Sequence, residues 1–136
     1  MTLSAPATLL TALVSLFAIL IAIGTAILVA RVRGSTGIQP PAMSGDPRLE
    51  RALRVQGNTV EGFIIFLPAL WLAASYGAPL WTGIAGLVWV LGRVWYAAGY
   101  LRDPAKREGG FVVSSIGLLA TLIIGAVGLG KAMLLG

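Results

Sequence analysis

The run TLLTALVSLFAILIAIGTAILVA, residues 8–30, decides the fold. It holds no ionisable side chain, and about 20 apolar residues suffice for a helix to cross the hydrocarbon core of a bilayer, so the run predicts a spanning helix. Residues 1–7 lack the Lys or Arg of a secretory leader, so it reads as a retained helix rather than a cleaved signal. Arg31 and Arg33 close it, and a loop rich in Gly, Ser and Pro leads on to Pro47. Working outward, further spans are expected at about residues 49–76, 80–101 and 111–135. Residues 1–136 then read as one all-α integral membrane domain, a four-transmembrane-helix bundle.

Composition agrees with this reading. The 136 residues are 57% hydrophobic and only 11% charged, with a mean hydropathy of +0.91, whereas about a quarter of a soluble domain is charged. Four spans leave no room for a separate soluble catalytic domain. The chain has no Cys and no His, which excludes a cysteine nucleophile, a disulfide framework, an imidazole base and the usual zinc sites; no metal is expected. Its net charge of +5 would suggest nucleic acid in a soluble chain. Here the basic residues lie between apolar runs, so they read as topology signals and no nucleic-acid partner is expected. Arg31, Arg33, Arg48 and Arg51 flank one loop and Arg102, Lys106 and Arg107 the other, against Lys131 alone on the opposite side. The positive-inside rule therefore places loops 31–48 and 102–110 in the cytoplasm and both termini away from it.

The second span starts unusually polar. At helical spacing Arg51, Arg54, Asn58 and Glu61 share one face, and an ionisable group at membrane depth costs about 2.5–3.5 kcal/mol. On the third span Arg93, Tyr96 and Tyr100 form a matching face at the same end, with Arg107 past Pro104. Two readings stay open: Arg54 pairs with Glu61 or Glu50 to hold the bundle and Arg93 snorkels, or the two faces enclose a basic pocket for a small, multiply anionic molecule. The number of polar groups at one depth, Gln56 among them, favours the pocket. On the fourth span Ser114, Gly117, Thr121, Gly125 and Gly128 make a stripe of small residues suited to close helix packing, within a subunit or between subunits.

The segment ERALRVQGNTVE, residues 50–61, resembles the E-R-x-x-R-x-Q-x-N-x-x-E signature of the membrane-associated proteins in eicosanoid and glutathione metabolism, the MAPEG family. GRVWYAAGY, residues 92–100, is similar to that family's third-helix motif, which a further Arg follows. The resemblance covers all four spans. It implies a homotrimer of four-helix subunits that holds glutathione, as co-substrate, between neighbouring subunits. Carried over by position, Arg54, Asn58, Glu61, Arg93, Tyr96, Tyr100 and Arg107 would contact it, with Gln56 reaching it across the interface. Two carboxylates would meet Arg residues and one ammonium Glu61.

The resemblance also supplies the nucleophile that the chain lacks, because glutathione brings its own thiol and the thiolate is the reactive form. Lowering a thiol pKa by about 2 units takes roughly 2.7 kcal/mol of differential stabilisation, within reach of one Arg at low dielectric. In the leukotriene-forming branch of the family an Arg at the end of the first helix has this role, which makes Arg31 or Arg33 the catalytic candidate. Gly62 stands where that branch carries an aromatic residue, which argues against a large lipid substrate. The implied activity is a membrane glutathione transferase, with or without peroxidase activity, that takes small hydrophobic electrophiles from the bilayer. The alternative is a non-catalytic lipid- or ligand-binding scaffold of the same fold. A small multidrug transporter fits poorly, since such chains place their Glu in the first span.

Overall fold

The computed structural model describes residues 6–136 as four helices, α1 (Pro6–Thr36), α2 (Pro47–Tyr76), α3 (Pro79–Arg102) and α4 (Glu108–Leu135), with a 3-10 turn at Pro104–Arg107. Each helix is long and apolar enough to cross a membrane. Helices consecutive in the chain run antiparallel, as where Arg51 at the start of α2 meets the end of α3, and α2 and α4 run parallel, Gly128 near the end of α4 meeting Tyr76 at the end of α2. One end of the bundle thus gathers the end of α1, the start of α2, the end of α3 and the start of α4. This is the basic end.

Local chemistry sets the helix limits. α1 runs past Ala30 to Thr36, because Arg propagates a helix well and the next break comes only at Gly37. There φ is +72°, a conformation that suits glycine, and the Gly37 N–H closes the helix on the Arg33 carbonyl at 2.9 Å. Ser35 and Thr36 hydroxyls donate to the Val32 carbonyl in the last turn. Arg31 and Arg33 therefore lie on the helix rather than in the loop. α2 begins at Pro47 behind Asp46, whose carboxylate accepts from the Arg48 N–H at 2.8 Å. It continues through Pro68, which has no N–H to give the Ile64 carbonyl. α4 begins at Glu108, ahead of the expected Phe111, because the 3-10 turn feeds directly into it.

Lipid gives helices little hydrophobic reason to associate, so a membrane bundle depends on close packing. The stripe on α4 provides it within the subunit. A Cβ on Gly117 would collide with the Trp89 backbone, one on Gly110 with Tyr96, and one on Gly128 with the Tyr76 carbonyl. Gly92 on α3 lies equally close to the Ser114 backbone. The central core is Val14, Ala18, Phe66, Leu70, Trp89 and Val90, with Phe66 and Trp89 stacked at 3.8 Å and 5°. At the basic end Val29, Leu49 and Ala52 form a second core beneath the α1–α2 loop.

Candidate functional site

At the basic end α2, α3 and α4 diverge around a groove of about 830 Å³. Helical spacing brings Arg54, Asn58 and Glu61 into it from α2 and Arg93, Tyr96 and Tyr100 from α3, while the 3-10 turn adds Arg107 and the start of α4 Glu108. Farther from the basic end its walls turn apolar, with Gly62, Ile65, Trp89 and Leu118, while Phe111 and Val112 line it from the first turns of α4. The flank between α2 and α4 is open, and Arg54, Glu61 and Phe111 are exposed along it.

Arg93 is the deepest charge, only 7% exposed. One Nη donates to the Thr59 hydroxyl at 3.4 Å, and that hydroxyl donates in turn to the Val55 carbonyl at 2.7 Å. The guanidinium carbon lies 4.2 Å from the centre of the Tyr96 ring, a cation–π contact that stabilises by about 0.5–2 kcal/mol. Its Nε is buried without a hydrogen-bond partner among the described residues. A buried cation normally has a carboxylate or a full set of acceptors, so this one has capacity for an anion. Beside it the Asn58 amide donates to the Tyr96 hydroxyl. The Tyr96 and Tyr100 rings lie 5.7 Å apart, and Arg107 sits 5.9 Å over the Tyr100 ring.

Among the described residues the ion pair is Arg48 with Asp46, at 2.9 Å, outside the groove. Glu50 instead accepts from the Gly45 N–H, so a bridge from Arg54 to Glu61 or Glu50 is not what holds the bundle. The groove therefore offers three Arg and two Glu, none paired with another. Such a set suits a zwitterion carrying more carboxylates than ammonium groups.

Of the residues singled out in the sequence, seven line the groove: Arg54, Asn58, Glu61, Arg93, Tyr96, Tyr100 and Arg107. Gln56 lies outside it, on the side of α2 turned away from Asn58. Arg31 and Arg33 also lie outside. Arg33 donates through one Nη to the carbonyls of Ile38 (3.2 Å) and Ala42 (2.8 Å) and so braces the α1–α2 loop, whereas Arg31 is exposed. The apolar wall is not legible in the sequence, because single Phe, Leu or Val residues carry no signal within uniformly apolar helices. Trp89 could have been found, being farther from either end of its span than an interfacial tryptophan.

The MAPEG family model matches residues 9–127. Human microsomal glutathione S-transferase 2 is 38% identical over 80% of this chain and 74% of its own length. Guinea-pig (Cavia porcellus) leukotriene C4 synthase is 32% identical over 88% of this chain and 80% of its own. An uncharacterised protein of Synechocystis is 42% identical over 85% and 84%. With four membrane-length apolar helices and a family match along nearly all of them, the chain is an integral multi-pass membrane protein that belongs to the MAPEG family.

Proposed function

We propose that the groove binds glutathione and that the protein is a membrane glutathione transferase for small hydrophobic electrophiles, with peroxide reduction as a second use of the same thiolate. The observation that carries this reading is the buried, carboxylate-free Arg93, with Arg54, Arg107 and Glu61 facing the same groove. The Arg residues take the two carboxylates, Glu61 takes the ammonium, and Asn58, Tyr96 and Tyr100 fix the peptide between them. The names of two relatives, a glutathione transferase and a leukotriene C4 synthase, support it.

The open flank is closed by a second copy in a homotrimer, from which Gln56 reaches the bound peptide. The basic end faces the cytoplasm, where glutathione enters, and the electrophile arrives from the bilayer.

The thiol loses its proton to solvent and the thiolate is held by a guanidinium. Two cations are candidates for this: Arg31, exposed and free of the loop carbonyls that occupy Arg33, would serve a neighbouring subunit's groove, and Arg107 lies in the chain's own. The sulfur then bonds to the electrophilic carbon as the leaving group departs with its electron pair. The test is a difference absorbance scan near 240 nm on purified protein with glutathione. A thiolate band that disappears in one of Arg31→Ala, Arg33→Ala or Arg107→Ala identifies the activating residue. Saturable binding without a band returns the protein to the non-catalytic scaffold reading.

A further inference from the structure

Thr59 stands between Asn58 and Glu61, at a position that the motif of residues 50–61 leaves open, and it does not line the groove. It is 1% exposed, and its hydroxyl is committed in one direction. The proton goes to the Val55 carbonyl, one turn back on α2, at 2.7 Å, a bond that selects one rotamer of an already stiff side chain. Only the lone pairs are left to face α3, and there they accept from an Arg93 Nη at 3.4 Å. A neutral hydroxyl at this distance offsets little of the charge. What it can do is hold a direction.

Arg93 needs a direction held. Its guanidinium carbon lies 4.2 Å from the centre of the Tyr96 ring, and Asn58 steadies that ring by donating to its hydroxyl. A cation–π contact keeps the cation over the ring but is nearly indifferent to rotation about the line that joins them. Recognition of a carboxylate is not indifferent, because the guanidinium fork works only when its parallel N–H bonds point at the anion. Of the five N–H donors of an arginine, the described residues take one, at Thr59, and Nε has none. Asn58 and Thr59, consecutive on α2, thus hold Tyr96 and Arg93, one turn apart on α3, while most of the fork stays free.

We infer that Thr59 is a positioning residue for anion recognition: it touches no ligand, and its hydroxyl sets the rotation of the Arg93 guanidinium so that the free donors meet a carboxylate in the groove. The inference rests on glutathione, which brings the carboxylates, occupying that groove. The competing account is a hydroxyl that serves only its own helix, as the bond to Val55 would allow.

The test titrates the full chain, purified in detergent, with glutathione in a calorimeter, and follows thermal unfolding of each variant alongside. Thr59→Val keeps the shape and removes the acceptor, so affinity is expected to fall about tenfold with Tm kept. Thr59→Ser restores the hydroxyl and should bind within about threefold of wild type. A packing role predicts the reverse order, because Ser lacks a methyl that Val keeps. Dependence on Arg93 is read from a double-mutant cycle: in an Arg93→Ala chain, adding Thr59→Val should weaken binding by less than about a further twofold. Wild-type affinity in Thr59→Val, a loss in Thr59→Ser as large as in Thr59→Val, or a further tenfold loss on top of Arg93→Ala would overturn the positioning role and leave the glutathione reading standing. No saturable binding by the wild type would overturn both.

Discussion

The α1–α2 loop and the groove both place cations at the basic end of the bundle, but they satisfy them differently. Around the loop Arg33 donates to two carbonyls, Arg48 pairs with Asp46, and Arg51 donates to the carbonyls of Leu101 and Arg102 and ties the start of α2 to the end of α3. In the groove Arg54 and Arg107 have no carboxylate among the described residues, and Arg93 leaves its Nε without an acceptor. Arg33, Arg48 and Arg51 are thus engaged by the chain itself. Those in the groove keep their capacity for something else, and that difference separates scaffold from site more sharply than charge alone.

Substitutions on the two sides should therefore have different consequences. Arg93→Ala removes the buried cation and should weaken glutathione binding about 100-fold, roughly 2.7 kcal/mol, in a calorimetric titration; retained affinity would place Arg93 among the structural cations. Glu61→Gln keeps the shape and loses the charge, and an affinity loss of about tenfold is expected. On the scaffold side Arg51→Ala should leave glutathione affinity alone while lowering stability by about 0.5–1 kcal/mol, read from thermal unfolding in detergent. A drop in affinity without a drop in stability would reverse its assignment.

The smallest effect concerns Asp46. Hydrogen bonds from the Arg48 side chain and then from its backbone N–H hold the Asp46 carboxyl below its ordinary value of 3.8. A lowered pKa in the folded chain stabilises it above that value, and the contribution is lost as pH falls through the folded pKa. Asp46→Asn should therefore lower Tm slightly at neutral pH, with the gap to wild type closing well below pH 4. A gap that persists in acid would mean that the cap acts through shape rather than charge.

How much of this was legible in the sequence differs by residue type. Arg54, Asn58 and Glu61 could be aligned with Arg93, Tyr96 and Tyr100 because polar side chains at spacings of three and four stand out against an apolar background, and the groove brings those six together. A boundary at Arg31 ends α1 too early, because a charge marks the edge of the apolar run and not of the helix; the backbone breaks only where Gly37 takes a positive φ. The stripe on α4 was visible but its partner was not. A pattern of small residues specifies close approach, and only the packed structure shows that α3 and the end of α2 make it.

The central claim is that unpaired groove charges recognise glutathione by its ionised groups. It is tested most directly by titrating the wild-type protein calorimetrically with glutathione and with its diethyl ester, in which both carboxylates are neutralised. The account predicts saturable binding of glutathione and a loss of about 100-fold or more for the ester, since two charge-assisted contacts disappear. Equal affinity for the two, or no saturable binding of glutathione, would contradict it.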